Sequence, residues 1–268
     1  MRCSRLIGNV LILIAIGGNI GMAQDQDLKK TLDDLLPAMS AEKIPDRSNA
    51  EKKWEEICFQ LGEPGQETQR LEACKLMDAK LGKDTAEPVR LWMLRQLERI
   101  GKDECVGAAA DLLGDKNAKI RDAARRVLTN NPSPKANAAL LAKMQGTGEN
   151  EFKVALLNSL GYRADPGSTA AVAGELRNAN GAVAGAAAAA LGKIGNADAG
   201  KALSAARAKA SDGLRRRLND AYLACAESLL KQGKTKEAMA IYKELNKPEE
   251  DRLVRLAATK GLLKAASK

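Results

Sequence analysis

The chain has 268 residues, a formal net charge of +9, 45% hydrophobic and 29% charged residues, two Trp, three Tyr, two Phe and no histidine. The absence of histidine excludes Ser-His-Asp and Cys-His catalysis, His-ligated zinc or haem, and imidazole proton shuttling. So few aromatics leave little for stacking bases or sugars.

The chain opens with Arg2 and Arg5, followed by an apolar run that is unbroken from Val10 to Ile16. Gly21-Met22-Ala23 then supplies small residues at the −3 and −1 positions of a cleavage site. This is the three-part pattern of a secretory signal. The expectation is a signal peptide over 1–23, cut between Ala23 and Gln24, and an exported product, periplasmic or secreted. An uncleaved N-terminal anchor is the alternative. A spanning helix needs about 20 apolar residues, so no stable membrane span is expected after cleavage. Four cysteines remain in the processed chain, Cys58, Cys74, Cys105 and Cys225, and an oxidising compartment would allow them to pair.

Residues 24–47 read as a short amphipathic helix over Gln26–Leu36, closed by Pro37, and a linker over Met39–Arg47. Residues 48–86 read as a helical hairpin, Ser48–Leu61 and Gln66–Leu81, containing Trp54, Cys58, Phe59 and Cys74. As a divergent N-terminal repeat, it is expected to cap the stack.

From residue 87 the chain repeats itself. Val89-Arg90, Ile120-Arg121, Phe152-Lys153, Val183-Ala184, Leu214-Arg215 and Val254-Arg255 begin successive units at spacings of 31, 32, 31, 31 and 40. Four positions after each anchor stand Met93, Ala124, Leu156, Ala187, Leu218 and Ala258; eight positions after stand Leu97, Leu128, Leu160, Leu191, Tyr222 and Leu262. Apolar residues at 0, +4 and +8 make one stripe of an α-helix. Gly101, Asn130-Asn131-Pro132, Gly161 to Gly167 and Gly195-Asn196 then break the chain. A second helix returns with Ala109, Leu140, Val172 and Leu203 in matching places.

No segment alternates as a half-buried strand does, and all eight prolines can be placed outside helix interiors. The fold class is therefore all-α. One hairpin cannot bury its apolar face alone, so the hairpins must stack into an α-solenoid. Val183 to Gly192 is almost wholly Ala and Gly, which predicts close helix approach there.

Val183 to Gly195, ending Ala-Leu-Gly-Lys-Ile-Gly, resembles the HEAT-like repeat of the phycobilisome-lyase type, as does Ile120 to Leu128. The likeness is good over 87–210 and looser over 48–268. It implies the fold and is nearly silent on function; nothing marks a bilin site. Residues 212–268 depart from the pattern. Asp220 to Gly233 and Lys236 to Tyr242 resemble a tetratricopeptide hairpin, and Pro248-Glu249-Glu250-Asp251 opens a last helix.

Short motifs give no chemistry. Lys231-Gln232-Gly233-Lys234-Thr235 lacks the glycine that a phosphate-binding loop needs where Ser228 stands. Ser40 to Lys43 and Ser228 to Lys231 match Ser-x-x-Lys without its companion motifs. Glu55-Glu56, Asp33-Asp34 and Glu249 to Asp251 read as solvated faces or a helix start. No catalytic residue, metal ligand or cofactor is expected.

The basic row Arg90, Arg121, Lys153, Arg215 and Arg255 is the strongest candidate surface, because equivalent positions in a solenoid align. One reading is a track for an anionic ligand or partner. The other is pairing with acids of neighbouring repeats, with Asp122, Asp115, Glu87 and Asp251 as candidates. Cys74 and Cys105 lie one repeat apart; a disulfide between them and buried free thiols are both open, with Cys58 an equal candidate partner.

The functional expectation is an exported, non-catalytic scaffold for a protein partner. A binding module for an anionic polysaccharide or other envelope polyanion is the second reading. An enzyme of the HEAT-like DNA-glycosylase type is the third, and nucleic acid is an unexpected partner for an exported chain.

Overall fold

The computed structural model describes residues 27–267. The expected signal segment and its Ala23–Gln24 cleavage lie outside the described residues. Among these residues there are fourteen α-helices and no strand.

The first three helices are α1 (Leu28–Met39), α2 (Ile44–Leu61) and α3 (Glu67–Asp78). Helical hairpins come next, pairing α4 (Glu87–Ile100) with α5 (Val106–Leu112), and α6 (Ala118–Asn130) with α7 (Pro134–Gly146). Two more pair α8 (Asn150–Arg163) with α9 (Thr169–Gly174), and α10 (Gly181–Ile194) with α11 (Ala197–Arg207). The chain finishes with α12 (Asp212–Lys231), α13 (Thr235–Leu245) and α14 (Arg252–Ala266). First helices pack on first helices, in the order α4, α6, α8, α10, α12; second helices form the other layer, where α5 meets α7 and α9 meets α11. The described chain is an α-solenoid of stacked helical hairpins.

Local chemistry sets the helix starts. Pro88 and Pro134 stand in first turns, where a missing N–H leaves nothing unsatisfied. Asn117, Ser133, Asn180, Asn196 and Asp251 accept backbone N–H bonds at the starts of α6, α7, α10, α11 and α14. Gly233, at φ 76°, makes the turn between α12 and α13.

The 0, +4, +8 stripe is the core. Val89, Met93, Leu97, Ile120, Ala124, Leu128, Leu156, Leu160, Val183, Ala187 and Leu191 are all buried. So are Ala109, Leu140, Val172 and Leu203 of the second helices.

Several boundaries differ from the sequence reading: α3 ends at Asp78 and not at Leu81, and α12 begins at Asp212 and not at Asp220. Pro37 does not close α1, which runs on to Met39. A proline removes one helical bond, but Leu28, Leu32 and Met39 bury one continuous face, and the Ser40 N–H still reaches Leu36 O at 3.0 Å. The linker is also shorter than expected: α2 begins at Ile44 with Pro45 in its first turn. The Arg47 guanidinium donates to Ala41 O, Glu42 O and the Glu51 carboxylate, which fixes that start.

Close helix approach in the Ala/Gly region is realised. A Cβ on Gly192 of α10 would fall 2.6 Å from Ala221 O of α12, and one on Gly161 of α8 would fall 2.8 Å from Ala190 Cα. Gly185 instead lies under the flexible Arg217 side chain.

Candidate functional site

The basic row is held by the chain itself. Arg90 is buried; its Nε donates to Leu81 O at 2.9 Å and its Nη2 to Asp115 at 2.5 Å. Arg121 donates to Asp115 O, to Lys116 O and to the Glu149 carboxylate, and its guanidinium lies over the Phe152 ring. Lys153 meets Glu175 at 2.9 Å. Arg215 stands 3.6 Å from Glu250, and Arg255 donates to Pro248 O. Of the acids weighed as partners, Asp115 takes Arg90, Asp122 takes Arg125 and Arg126, Glu87 takes Lys119, and Asp251 caps α14. The Arg90 guanidinium holds the Asp115 carboxyl below its ordinary range, with the Asn117 N–H helping.

A second set of polar residues, not singled out in the sequence, joins one repeat to the next. Arg163 donates to Leu128 O, Thr129 O, Asn131 O and Ser133 O. Asn131 reaches Lys102 O, Gln232 reaches Gly195 O, and Arg70 reaches Ile100 O. Most of these carbonyls lie at helix C-terminal ends, where no intrahelical N–H reaches them; Lys102 O and Ser133 O stand at the starts of the following turn and of α7. Only the sequence separation of about one repeat hinted at them, and polar side chains at turns are too common for that hint to be used.

A groove of about 550 Å³ lies between α9 and α11, with Leu214 of α12 in its wall. It exists because α9 has six residues where α7 has thirteen, and because α11 presents small side chains. Its walls are Ala173, Gly174, Leu176, Ala202, Ala205, Ala206, Ala210 and Leu214; its charges are Arg177 and Lys209 alone. Both cations are exposed, and neither has an ion-pair partner among the described side chains. The nearby Glu175 is taken by Lys153 and Asn178. Among the described side chains the groove is therefore apolar, with Arg177 and Lys209 as its positive rim. Sequence reading passed it over because an alanine-rich second helix looks bland.

The third feature is a buried cluster between α3 and the Asp103–Cys105 turn that leads into α5. The Cys74 and Cys105 sulfurs and a Glu104 carboxylate oxygen lie within 4.8 Å of one another. All four described-region cysteines are free and buried. Arg70 ion-pairs with Glu104, and its Nη1 also donates to Cys74 Sγ at 3.6 Å. Burial works against the Glu104 carboxylate, but Arg70 and backbone N–H groups hold it at about 2. The hydrogen bond to Cys74, then burial, pushes the Cys105 thiol up. Burial pushes Cys58 up to about 12, and burial with Glu104 nearby pushes Asp78 up to about 6.

No family model matches the chain, and no curated protein matches it. Among solved structures it is similar to an engineered protein from the Northeast Structural Genomics Consortium, at 19% identity and a TM-score of 0.44, over 91% of this chain and 69% of that one. It is also similar to the CpcE–CpcF complex of phycocyanin lyase from Nostoc, at 18% identity and a TM-score of 0.41, over 96% and 100% of the two chains. Human deoxyhypusine hydroxylase, in complex with glycerol, is similar at 14% identity and a TM-score of 0.38, over 90% and 98%. Scores of this size carry no function across. The repeat architecture rests on the packing described above.

Proposed function

We propose that the protein is a non-catalytic scaffold that holds a segment of a protein partner in the α9–α11 groove. The observation that carries this reading is an apolar trough of about 550 Å³ whose only charges, Arg177 and Lys209, lack ion-pair partners among the described side chains. Small side chains let a backbone approach closely, and desolvated charge complementarity selects the partner. The segment that fits is acidic, with small apolar residues between its carboxylates.

The polyanion reading draws less support, because each cation of the basic row already bonds an acid or carbonyl of its own chain. We also propose export. Arg2, Arg5, the Val10–Ile16 run and the small residues before Gln24 support it. A secreted product whose first residue is Gln24 is the expected result of N-terminal sequencing; a full-length product that stays in the cytoplasm would overturn the proposal.

The test of the groove is selection of a displayed random peptide library on the protein. Acidic peptides with small apolar residues are expected to be enriched. Their binding should fall by more than about tenfold in a variant carrying Arg177→Glu and Lys209→Glu, which costs about 1.4 kcal/mol or more. Ala205→Trp should block the groove without changing charge. No enrichment, or peptides that bind both variants as well as the parent, would contradict the proposal.

A further inference from the structure

We infer that Cys74 and Cys105 close to a disulfide that links α3 to the Asp103–Cys105 turn of the next hairpin. The inference rests on sulfur geometry and is independent of the groove. The two residues come from separate elements, α3 and the turn before α5, 31 positions apart. Their sulfurs nevertheless face each other within 4.8 Å inside the core. A disulfide bond needs about 2.05 Å, so closure requires side-chain rotation and a small helix shift.

The surroundings favour this pair. Arg70 Nη1 donates to Cys74 Sγ at 3.6 Å and so holds that sulfur beside its partner. Cys105 Sγ donates to the Glu104 carboxylate at 3.9 Å, so this thiol keeps its proton until it attacks. Above them is a surface recess of about 160 Å³ lined by Arg70, Gly101 and Lys102. A Cβ on Gly101 would fall 2.9 Å from Cys105 Sγ, so the sulfurs lie just beneath the recess floor. A larger residue at 101 would cover the pair.

The oxidant is a disulfide-bonded thiol oxidoreductase, which an oxidising compartment supplies. The Cys74 thiolate attacks one oxidant sulfur. The oxidant's S–S bond breaks, a mixed disulfide forms, and the departing thiolate takes the proton that Cys74 lost. The Cys105 sulfur then attacks Cys74 Sγ and expels the second oxidant sulfur, which takes the Cys105 thiol proton as it leaves. Two protein thiols are oxidised, and one disulfide is reduced to two thiols.

A metal is the competing occupant, since two thiolates and a carboxylate can hold zinc. The positions of the charges favour the disulfide. The Arg70 guanidinium already bridges Glu104, Cys74 and Ile100 O, so a cation is in place where the metal would sit.

The test uses the full chain, reduced and then equilibrated in glutathione buffers of increasing oxidised fraction. Free thiols are trapped by alkylation and linked peptides are mapped by mass spectrometry. Two of the five thiols should be lost together, in one peptide pair joining Cys74 to Cys105. The melting temperature should rise by about 5 °C on oxidation. Cys58→Ser should leave both results unchanged, and this control does not depend on the folding of Cys74→Ser or Cys105→Ser. A bridge to Cys58, thiols that stay reduced through refolding in oxidised glutathione, or stoichiometric zinc retained by the reduced chain would each overturn the inference.

Discussion

The first hairpins and the middle of the stack solve the same packing problem with different materials. Around α1 to α4 the core is filled by volume: Trp54, Leu32, Met39, Met77 and Met93 are among the largest fully buried side chains. Between α8, α10 and α12 it is filled by proximity, with glycines placed where a neighbouring backbone leaves no room for a methyl group. The first region tolerates small shape changes, because methionine adapts. The second tolerates almost none. It also leaves the surface of α11 shallow and apolar, which is why the groove lies there.

The largest effect expected from breaking this comparison is Trp54→Ala, which should cost about 3–5 kcal/mol. In a stack of nearest-neighbour units the loss should be local. Hydrogen exchange should rise in α1 to α4 and much less in α10 to α12. Gly192→Ala is the reciprocal experiment. One added methyl group against Ala221 should cost about 1–3 kcal/mol, with exchange rising in α10 and α12. Equal, global loss of protection in both variants would mean that the two regions are not separate.

Two further substitutions sharpen the picture of the first region. Gln96 is fully buried and neither amide atom has a partner. Gln96→Met should raise stability by about 1–2 kcal/mol, read by urea unfolding. Asp78, raised to about 6, binds its proton more tightly folded than unfolded. Stability should therefore fall as pH rises from about 4 to about 6, and Asp78→Asn should flatten that stretch of the profile. Glu104 has the opposite sign: held at about 2, its contribution is full above about 4.5 and is lost as pH falls toward 2. A stability profile that Asp78→Asn leaves unchanged would contradict the first assignment.

Most of the fold was legible in the sequence because it repeats. A stripe at 0, +4 and +8 that recurs every 31 or 32 residues fixes helix, face and stacking together. Pro37 misled because a proline's local cost is visible in sequence, whereas the compensating burial of Leu28, Leu32 and Met39 is tertiary. The site was far less legible. Arg90 and its equivalents stand out by position, yet their partners range from nearby carbonyls to acids in the next repeat, so pairing and exposure look alike in sequence. Arg177 and Lys209 stand out by nothing. What distinguishes them is the shortness of α9, which depends on how Gly174 and the Glu175–Arg177 turn pack. The approach of Cys74 to Cys105 was hinted at by spacing, and only the turn before α5 brings the sulfurs together.

The central claim, that the groove is where a partner segment lies, is tested most directly by a hydrogen-exchange footprint with the best peptide from the display selection. Protection is predicted over 169–177 and 202–214, lost in the Arg177→Glu, Lys209→Glu variant. Protection along the basic row, or over the exposed Leu253, Leu256 and Leu263 of α14, with the groove unchanged, would contradict it.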